Sequence, residues 1–444
     1  MKNTLSQMRN HASSIFYAGL EAVNPADAVK SSCVFNGQEL VCGDQSYNLG
    51  QYQNIIILGA GKATAPMAQA IEKMLGSIIT RGLVNVKYEH LATLNWIEIN
   101  EAGHPVPDAS GMQGAQKAFE LAASASAKDL VISLISGGAS ALWPLPVAGI
   151  TLQDKQKTTE ILLSCGATIN EINIIRKHLS LIKGGRLAQI ASPATLICLI
   201  LSDVVGDDLD VIASGPTVPD SSTFGDCITV IEKYNLQDQL PLSVFEYLTA
   251  GLHDKTKETP KKNSPVFKKV NNIIIGNNLA AIKAAEKTAT QLGYNTLILS
   301  SMIEGETRVV AGVHTAIAKE IIKSGHPISR PACILSGGET TVTIRGKGKG
   351  GRNQEFVLAA LPDIAGRDHT VILSAGTDGT DGPTDAAGAF VDSKSFQKAC
   401  QKGLCPDKAL GQNDSYTFFK ELDDLLITGP TNTNVMDLRI ILVN

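Results

Sequence analysis

The stretch NIIILGAGKA, residues 54–63, decides the fold. Ile55, Ile56, Ile57 and Leu58 follow one another without the polar alternation of a half-exposed strand. A short continuous apolar run of this kind is a strand covered on both faces, which implies a parallel sheet with helices on each side. Gly59 and Gly61 let the chain turn tightly where the run ends, and a helical pattern follows over 62–75. The same strand-turn-helix rhythm continues through LVISLIS (130–136), LICLILS (196–202), NIIIG (272–276), TLILSS (296–301), ACILS (332–336) and TVILSAG (370–376). Helical patterns at 111–127, 155–165, 278–292 and 308–324 lie between them. The expected class is α/β with two domains, each a largely parallel sheet flanked by helices, the N-terminal one Rossmann-like.

At 444 residues the chain is too long for one ordinary core. The segment GLHDKTKETPKKNSP is charged, polar and proline-bearing, and reads as a linker at 251–265 between domains at 1–250 and 266–444. A net charge of −4 argues against a generally basic nucleic-acid binder. No apolar run reaches the roughly 18 residues of a membrane span. The N-terminus has helical spacing at Leu5, Met8, Ile15, Phe16 and Leu20 without a signal-peptide core, and reads as a docked helix. The eight cysteines show no metal-binding spacing; Cys33 and Cys42 flank a turn-like NGQE and would pair only in an oxidising compartment. Reduced thiols and a cytoplasmic location are expected.

Ligands of open α/β sheets bind beyond the carboxyl ends of the strands. After 54–58 comes Gly59-Ala60-Gly61-Lys62, with Thr64 where a dinucleotide fingerprint wants a third small residue. Lys62 in this turn is placed to reach a phosphate or carboxylate. Ser136-Gly137-Gly138 follows the strand 130–136, and a similar Ser-Gly-Gly opens the stretch 336–355, SGGETTVTIRGKGKGGRNQE. There Gly346, Gly348, Gly350 and Gly351 interleave with Lys347, Lys349 and Arg352, a combination suited to oxygen anions although it is not a Walker A loop. Asp203 and Asp378 each follow a buried strand, as donors to Mg²⁺ or acceptors of a hydroxyl proton. The ordinary meaning of a lone Asp-Gly is a turn. His104 lies in a rigid GHPVPD loop, and Arg176 and Lys183, seven residues apart, would share a face if helical and could bind an anion.

Eight segments in order resemble the class II glycerate kinases, the family with a C-terminal MOFRL domain. They are GAGKATAPMA (59–68), GHPVPDASG (103–111), ISGGASALWPLP (135–146), RKHLSLIKGGRLA (176–188), LSDVVGDDLDVIASGPTVPD (201–220), SGGETTVTIRGKGKGGRNQE (336–355), AGTDGTDGPTDAAGAF (375–390) and TGPTNTNVMDL (428–438). The resemblance implies a MOFRL region at about 330–440 and ATP-dependent phosphorylation of D-glycerate, usually at the 2-hydroxyl, with a divalent metal. It implies Lys62 and Arg352 as catalytic residues, with Asp203 and Asp378 dividing the roles of Mg²⁺ ligand and base. Gly59, Gly61, Ser136, Gly137, Gly138, Gly348, Lys349, Gly350 and Gly351 would line the nucleotide. Asn432 and Met436 depart from the glycine and asparagine usual in the family. The expected mechanism is in-line phosphoryl transfer in an interdomain cleft, where positioning and charge neutralisation do most of the catalysis. The expected partner is a small molecule, with no nucleic acid or membrane, and a homodimer is an open option. The rival activity is NAD(P)H-dependent reduction of hydroxypyruvate; a non-catalytic sugar-phosphate sensor is a more distant third.

Overall fold

The computed structural model describes residues 4–367 and 369–444. They form two compact units, one of Pro25–Ile275 and one in which the residues up to Asn24 join Gly276–Asn444.

The Pro25–Ile275 unit opens with the helix Pro25–Ser32, followed by a small antiparallel sheet of β1 (Cys33–Phe35), β2 (Glu39–Cys42) and β3 (Gln45–Asn48). Its main sheet holds β4 (Asn54–Ala60), β5 (Arg81–Lys87), β6 (Glu98–Ala102), β7 (Asp129–Ile135), β8 (Thr195–Leu201) and β9 (Val270–Gly276). Their order is β6-β5-β4-β7-β8-β9, with β6, β5, β4, β7 and β8 paired in parallel. Counted along the chain this is 3-2-1-4-5-6, the doubly wound arrangement whose order reverses between the first and fourth strands. The reversal falls between β4 and β7, so the turns after Ala60 and Ile135 flank the crevice such sheets use for ligands.

The apolar runs explain the layers. Every residue of β7 is buried, as is all of β4 after Asn54 and of β8 after Thr195. Ile56, Leu58, Val131 and Cys198 share one core layer with Ala115, Ala118 and Ala122 of the helix Ala109–Ala123. Each large aliphatic side chain so buried contributes about 1.5–3 kcal/mol. The strand β9 differs from expectation. It lies at the sheet edge and is half-exposed, so its NIIIG run is not covered on both faces.

The second unit carries β10 (Asn295–Ile303), β11 (Ala332–Gly338), β12 (Thr370–Gly376), β13 (Gly388–Asp392), β14 (Leu425–Leu426) and β15 (Asp437–Val443), in the order β10-β11-β15-β12-β13-β14. Here the expectation of a largely parallel sheet needs correction. Among the described residues only β10 and β11 pair in parallel in this sheet, while β15 runs antiparallel to both β11 and β12, and β13 and β14 continue antiparallel. The last strand enters the middle of the sheet, and all seven of its residues are buried.

The domain limits also move. The helix Leu5–Glu21, capped by Thr4, packs Met8, Ala12, Ile15 and Phe16 against Ile282, Leu438 and Ile440, so it belongs to the second unit rather than to a 1–250 domain. Arg9 pins it through Asp392 (2.6 Å) and Asp424 (2.9 Å). Residues 251–265 are part of the first unit, not a free linker, because their polar groups have interior partners. Glu258 bonds to His178 at 2.8 Å, and Thr259 donates to the buried Asp220 at 2.9 Å. The units divide at 275–276, which leaves β9 up to Ile275 with the first. Among the described residues no helix is long and apolar enough to cross a membrane.

Candidate active site

The two turns at the strand-order reversal are tied to each other. Gly61 has φ +143°, and a Cβ there would lie 2.0 Å from Ser136 Oγ. This close approach requires glycine. The amide of Lys62 donates to Gly137 O (2.8 Å), that of Ala63 to Ser136 Oγ (3.0 Å) and that of Gly61 to Asn85 O (3.1 Å). These amides are therefore used inside the protein, and what the turn presents is the Lys62 side chain. It runs beside Gly138, whose added Cβ would sit 3.4 Å from Lys62 Cγ and 2.8 Å from the His104 ring. Burial, then the charges of Lys62, Lys87 and His90, lower the His104 pKa to about 4, so this imidazole is neutral at pH 7.

His104 and Gly138 line a cavity of about 800 Å³. Three cationic side chains reach it from separate elements: Lys155 on the helix Leu152–Ser164, Arg176 on the helix Ile169–His178, and Lys183 in the turn beyond. Arg176 and Lys183 do meet, though not by helical spacing, because the helix ends at His178 and the turn brings Lys183 back. Lys183 donates to the carbonyls of Ser140 (2.8 Å) and Trp143 (3.2 Å). Lys155 Nζ is buried with no hydrogen-bond partner among the described residues. The rest of the basic run is structural. Lys177 pairs with Asp210 (2.5 Å) and Asp220 (3.4 Å), His178 with Glu258, and Arg186 donates to Lys257 O (2.6 Å).

The segment after β8 braces this cavity. Asp203 is half-buried just beyond the strand. Ala213 and Ser214 both have positive φ, +53° and +60°, a left-handed conformation that non-glycine residues seldom hold. Ser214 Oγ in turn contacts Asn173 Oδ1 (3.1 Å) and Ser140 Oγ (3.0 Å) on the cavity wall. Local strain held by hydrogen bonds is common where a loop must be fixed for function.

In the second unit Arg352 opens the helix Arg352–Ile364. Its Nε donates to Asp437 (2.8 Å) and its Nη1 pairs with Glu339 (2.8 Å). Burial works against the charge, but Asp437, Glu339 and Asp381 together hold the Arg352 pKa above its ordinary value. Asp437 also takes Arg439 (3.0 Å) and the Asn353 amide (2.8 Å). Asp381 receives the first amides of the helix, from Asn353 (3.0 Å) and Gln354 (2.8 Å). Burial nonetheless raises its pKa to about 6, the amides opposing and Asp437 adding to the rise. Asp378, half-buried, accepts at Oδ1 from the amide and hydroxyl of Thr380, both at 3.1 Å. The turn that an Asp-Gly pair ordinarily means is thus present.

The glycine-rich loop has a packing cause as well. Added Cβ atoms at Gly346 and Gly348 would lie 2.3 Å from Gln412 O and 2.4 Å from Asp414 Cβ. The amides of Gly346, Gly348 and Lys349 are bonded to Asn413 Oδ1, Gln412 O and Asp414 Oδ1. Lys347 and Lys349 remain exposed, so this loop offers its ammonium groups rather than those three amides. Among the described residues no group of three or more His, Cys, Asp or Glu side chains forms a ready metal centre. A hard cation that takes one or two carboxylates and otherwise substrate oxygens fits half-buried aspartates such as Asp203 and Asp378.

Sequence reasoning gave no role to Lys155, Asp381, Asp437 or Glu339. Lys155 left one trace: it shares a helical face with Thr158 and Leu162, both buried, where a charge is out of place.

Residues 11–249 match the family described as a domain of unknown function, DUF4147, and residues 332–437 match the MOFRL family. The chain is 40% identical to a glycerate 2-kinase from Pyrococcus horikoshii over 96% of its own length and 94% of the relative's. It is 42% identical to a protein named putative hydroxypyruvate reductase from Agrobacterium vitis, over 87% of each chain. A solved structure of glycerate kinase from Thermotoga maritima superposes with a TM-score of 0.88 at 40% identity, covering 99% of this chain and 100% of the other. The strand order, the paired turns and these full-length similarities agree, and the chain belongs to the glycerate 2-kinase family with a C-terminal MOFRL domain.

Proposed function

We propose that this protein transfers the γ-phosphoryl group of ATP to the 2-hydroxyl of D-glycerate, giving 2-phosphoglycerate and ADP. The observation that carries this reading is Lys62, set in a glycine-held turn at the strand-order reversal of a chain similar along its length to glycerate 2-kinases. Phosphoryl transfer asks little covalent chemistry of a protein and much alignment and charge neutralisation. Lys62 is assigned to the equatorial oxygens of the transferring group. Arg352, oriented by Asp437 and Glu339, is assigned to negative charge developing in phosphoryl transfer.

Asp203 and Asp378 share two duties, one accepting the proton of the 2-hydroxyl and the other holding Mg²⁺. When bound, Mg²⁺ neutralises phosphate oxygens of the nucleotide. Gly59, Gly61, Ser136, Gly137 and Gly138 shape the wall against which the phosphates lie. Gly348, Gly350 and Gly351 of the second loop are assigned to the nucleotide, with Lys349 supplying charge.

The test is to incubate the protein with D-glycerate, ATP and Mg²⁺ and identify the product by phosphorus NMR. A 2-phosphoglycerate resonance is expected, with Lys62→Ala and Arg352→Ala each slowed a hundredfold or more, on the order of removing one strong transition-state contact. No phosphoester would refute the reading. The reductase alternative draws on the dinucleotide-type strand order and the Agrobacterium vitis name. Loss of NADH absorbance with hydroxypyruvate alone would favour it.

A further inference from the structure

We infer that Lys155, Arg176 and Lys183 form the subsite that takes the carboxylate of the acceptor acid, a role that rests on the glycerate kinase reading above. The three side chains converge on one cavity from two helices and a turn. Their charges have no carboxylate opposite them among the described residues. The one acid on the cavity wall, Glu160, pairs with Lys157 at 3.1 Å, and both are exposed. Lys155 is only 9% exposed, and its ammonium has three donors with no acceptor. Lys183 donates to Ser140 O and Trp143 O, and burial, then the charges of Lys155 and Arg176, hold its pKa well below the ordinary lysine value. A buried cation without a partner is costly, and a cluster of them is stable only when an anion completes it.

The chemistry selects a metal-free organic acid over the triphosphate. A magnesium nucleotide brings a hard cation that seeks carboxylates, and this wall offers no aspartate and only the paired Glu160. Pro105, Val106, Pro144 and Leu163 supply apolar surface instead, and the low dielectric around buried Lys155 strengthens a carboxylate–ammonium contact. Lys62 adjoins the same cavity through Gly138. In a 2-hydroxy acid the reacting hydroxyl stands on the carbon next to the carboxyl group, so anchoring the carboxylate directs the hydroxyl toward Lys62. A cavity of about 800 Å³ leaves room for the incoming phosphoryl group beside a three-carbon acid.

The groups facing Lys155 are Arg176 from the neighbouring helix, Lys183 from the turn, His104 from its loop, and Lys157 and Glu160 on its own helix. Burial and the Arg176 charge bring Lys155 to about 7. An arriving carboxylate must therefore draw a proton onto Lys155 above neutral pH.

The experiment compares the wild type with Lys155→Met, Arg176→Met and the conservative Lys155→Arg. D-glycerate is titrated calorimetrically without ATP at pH 8 in two buffers of different ionisation heat, and KM is measured for each substrate. The wild type is expected to bind D-glycerate with proton uptake. Lys155→Met should reduce that uptake and raise the KM for D-glycerate at least tenfold, with the KM for ATP within about twofold and partial recovery in Lys155→Arg. A rise in the KM for ATP instead would make this a nucleotide site and overturn the inference. Unchanged KM values in both methionine variants would also overturn it while leaving the kinase reading intact. Binding of D-glycerate that depends on Lys155, without any phosphoryl transfer, would support the subsite and sink the kinase reading. No binding of D-glycerate to the wild type would overturn the subsite.

Discussion

Replacing Lys155 by methionine should make the protein more stable, and the gain should depend on pH. Burial first, and the Arg176 charge second, bring this ammonium from 10.5 to about 7. Each pH unit of such a displacement corresponds to about 1.4 kcal/mol, so holding the charge costs the folded chain roughly 4–5 kcal/mol at most. Water entering the cavity lowers this, and about 2–4 kcal/mol is the expected net cost. The folded value lies below the unfolded one, so between pH 7 and 10.5 the unfolded chain binds more protons and stability rises with pH. The penalty is complete below pH 7 and fades as pH climbs toward 10.5. Methionine keeps the unbranched length and apolar contacts and removes the charge. Scanning calorimetry should therefore show Tm raised by about 4 °C or more at pH 6, with a shrinking gain through pH 8 and 9.5. A lower Tm for the variant at pH 6, or a gain that does not shrink by pH 9.5, would refute the electrostatic argument.

Three further outcomes are expected. Gly61→Ala places a Cβ 2.0 Å from Ser136 Oγ at φ +143°, and should cost about 3 kcal/mol or more in thermal stability and abolish turnover; near-normal activity would show that the two turns can part without loss. Asp437→Ala leaves Arg352 with Glu339 alone and strands the buried Arg439, a loss of about 3–5 kcal/mol measurable by urea titration, and a shift under about 1 kcal/mol would contradict the network. Cys33 and Cys42 sit at paired positions of β1 and β2 with sulfurs 2.8 Å apart. Treatment with diamide should protect both from iodoacetamide, and continued labelling of either would argue against pairing.

The parallel sheet of the first unit was legible because β4, β7 and β8 are buried on both faces, and burial of that kind writes an unbroken apolar run. Direction leaves no such trace. The run RIILV of β15 is absent from the strand-like runs read in the sequence, and its place between β11 and β12 depends on the whole second unit. The turn carrying Lys62 could be found since glycine spacing is a local demand. Asp437 and Arg439 were hidden because their burial comes from distant elements: Arg352 reaches Asp437 across 85 positions, and Thr340 meets Arg439 across 99. The linker reading failed at Glu258 and Thr259 for the same reason, since polarity along the chain does not reveal whether a partner waits in the interior.

The helix Leu5–Glu21 has a consequence for how the protein is made. It leaves the ribosome well before its partners, since Arg9 finds Asp424 only 415 positions later and Val23 meets Thr433 only after 410. Its apolar face of Met8, Ile15 and Phe16 needs Leu438 and Ile440, from a strand made long after the helix. Meanwhile Pro25–Ile275 has its own core and can collapse while translation continues. The nascent chain thus carries an amphipathic segment without its partners while the intervening residues are made, a natural handle for a ribosome-associated chaperone.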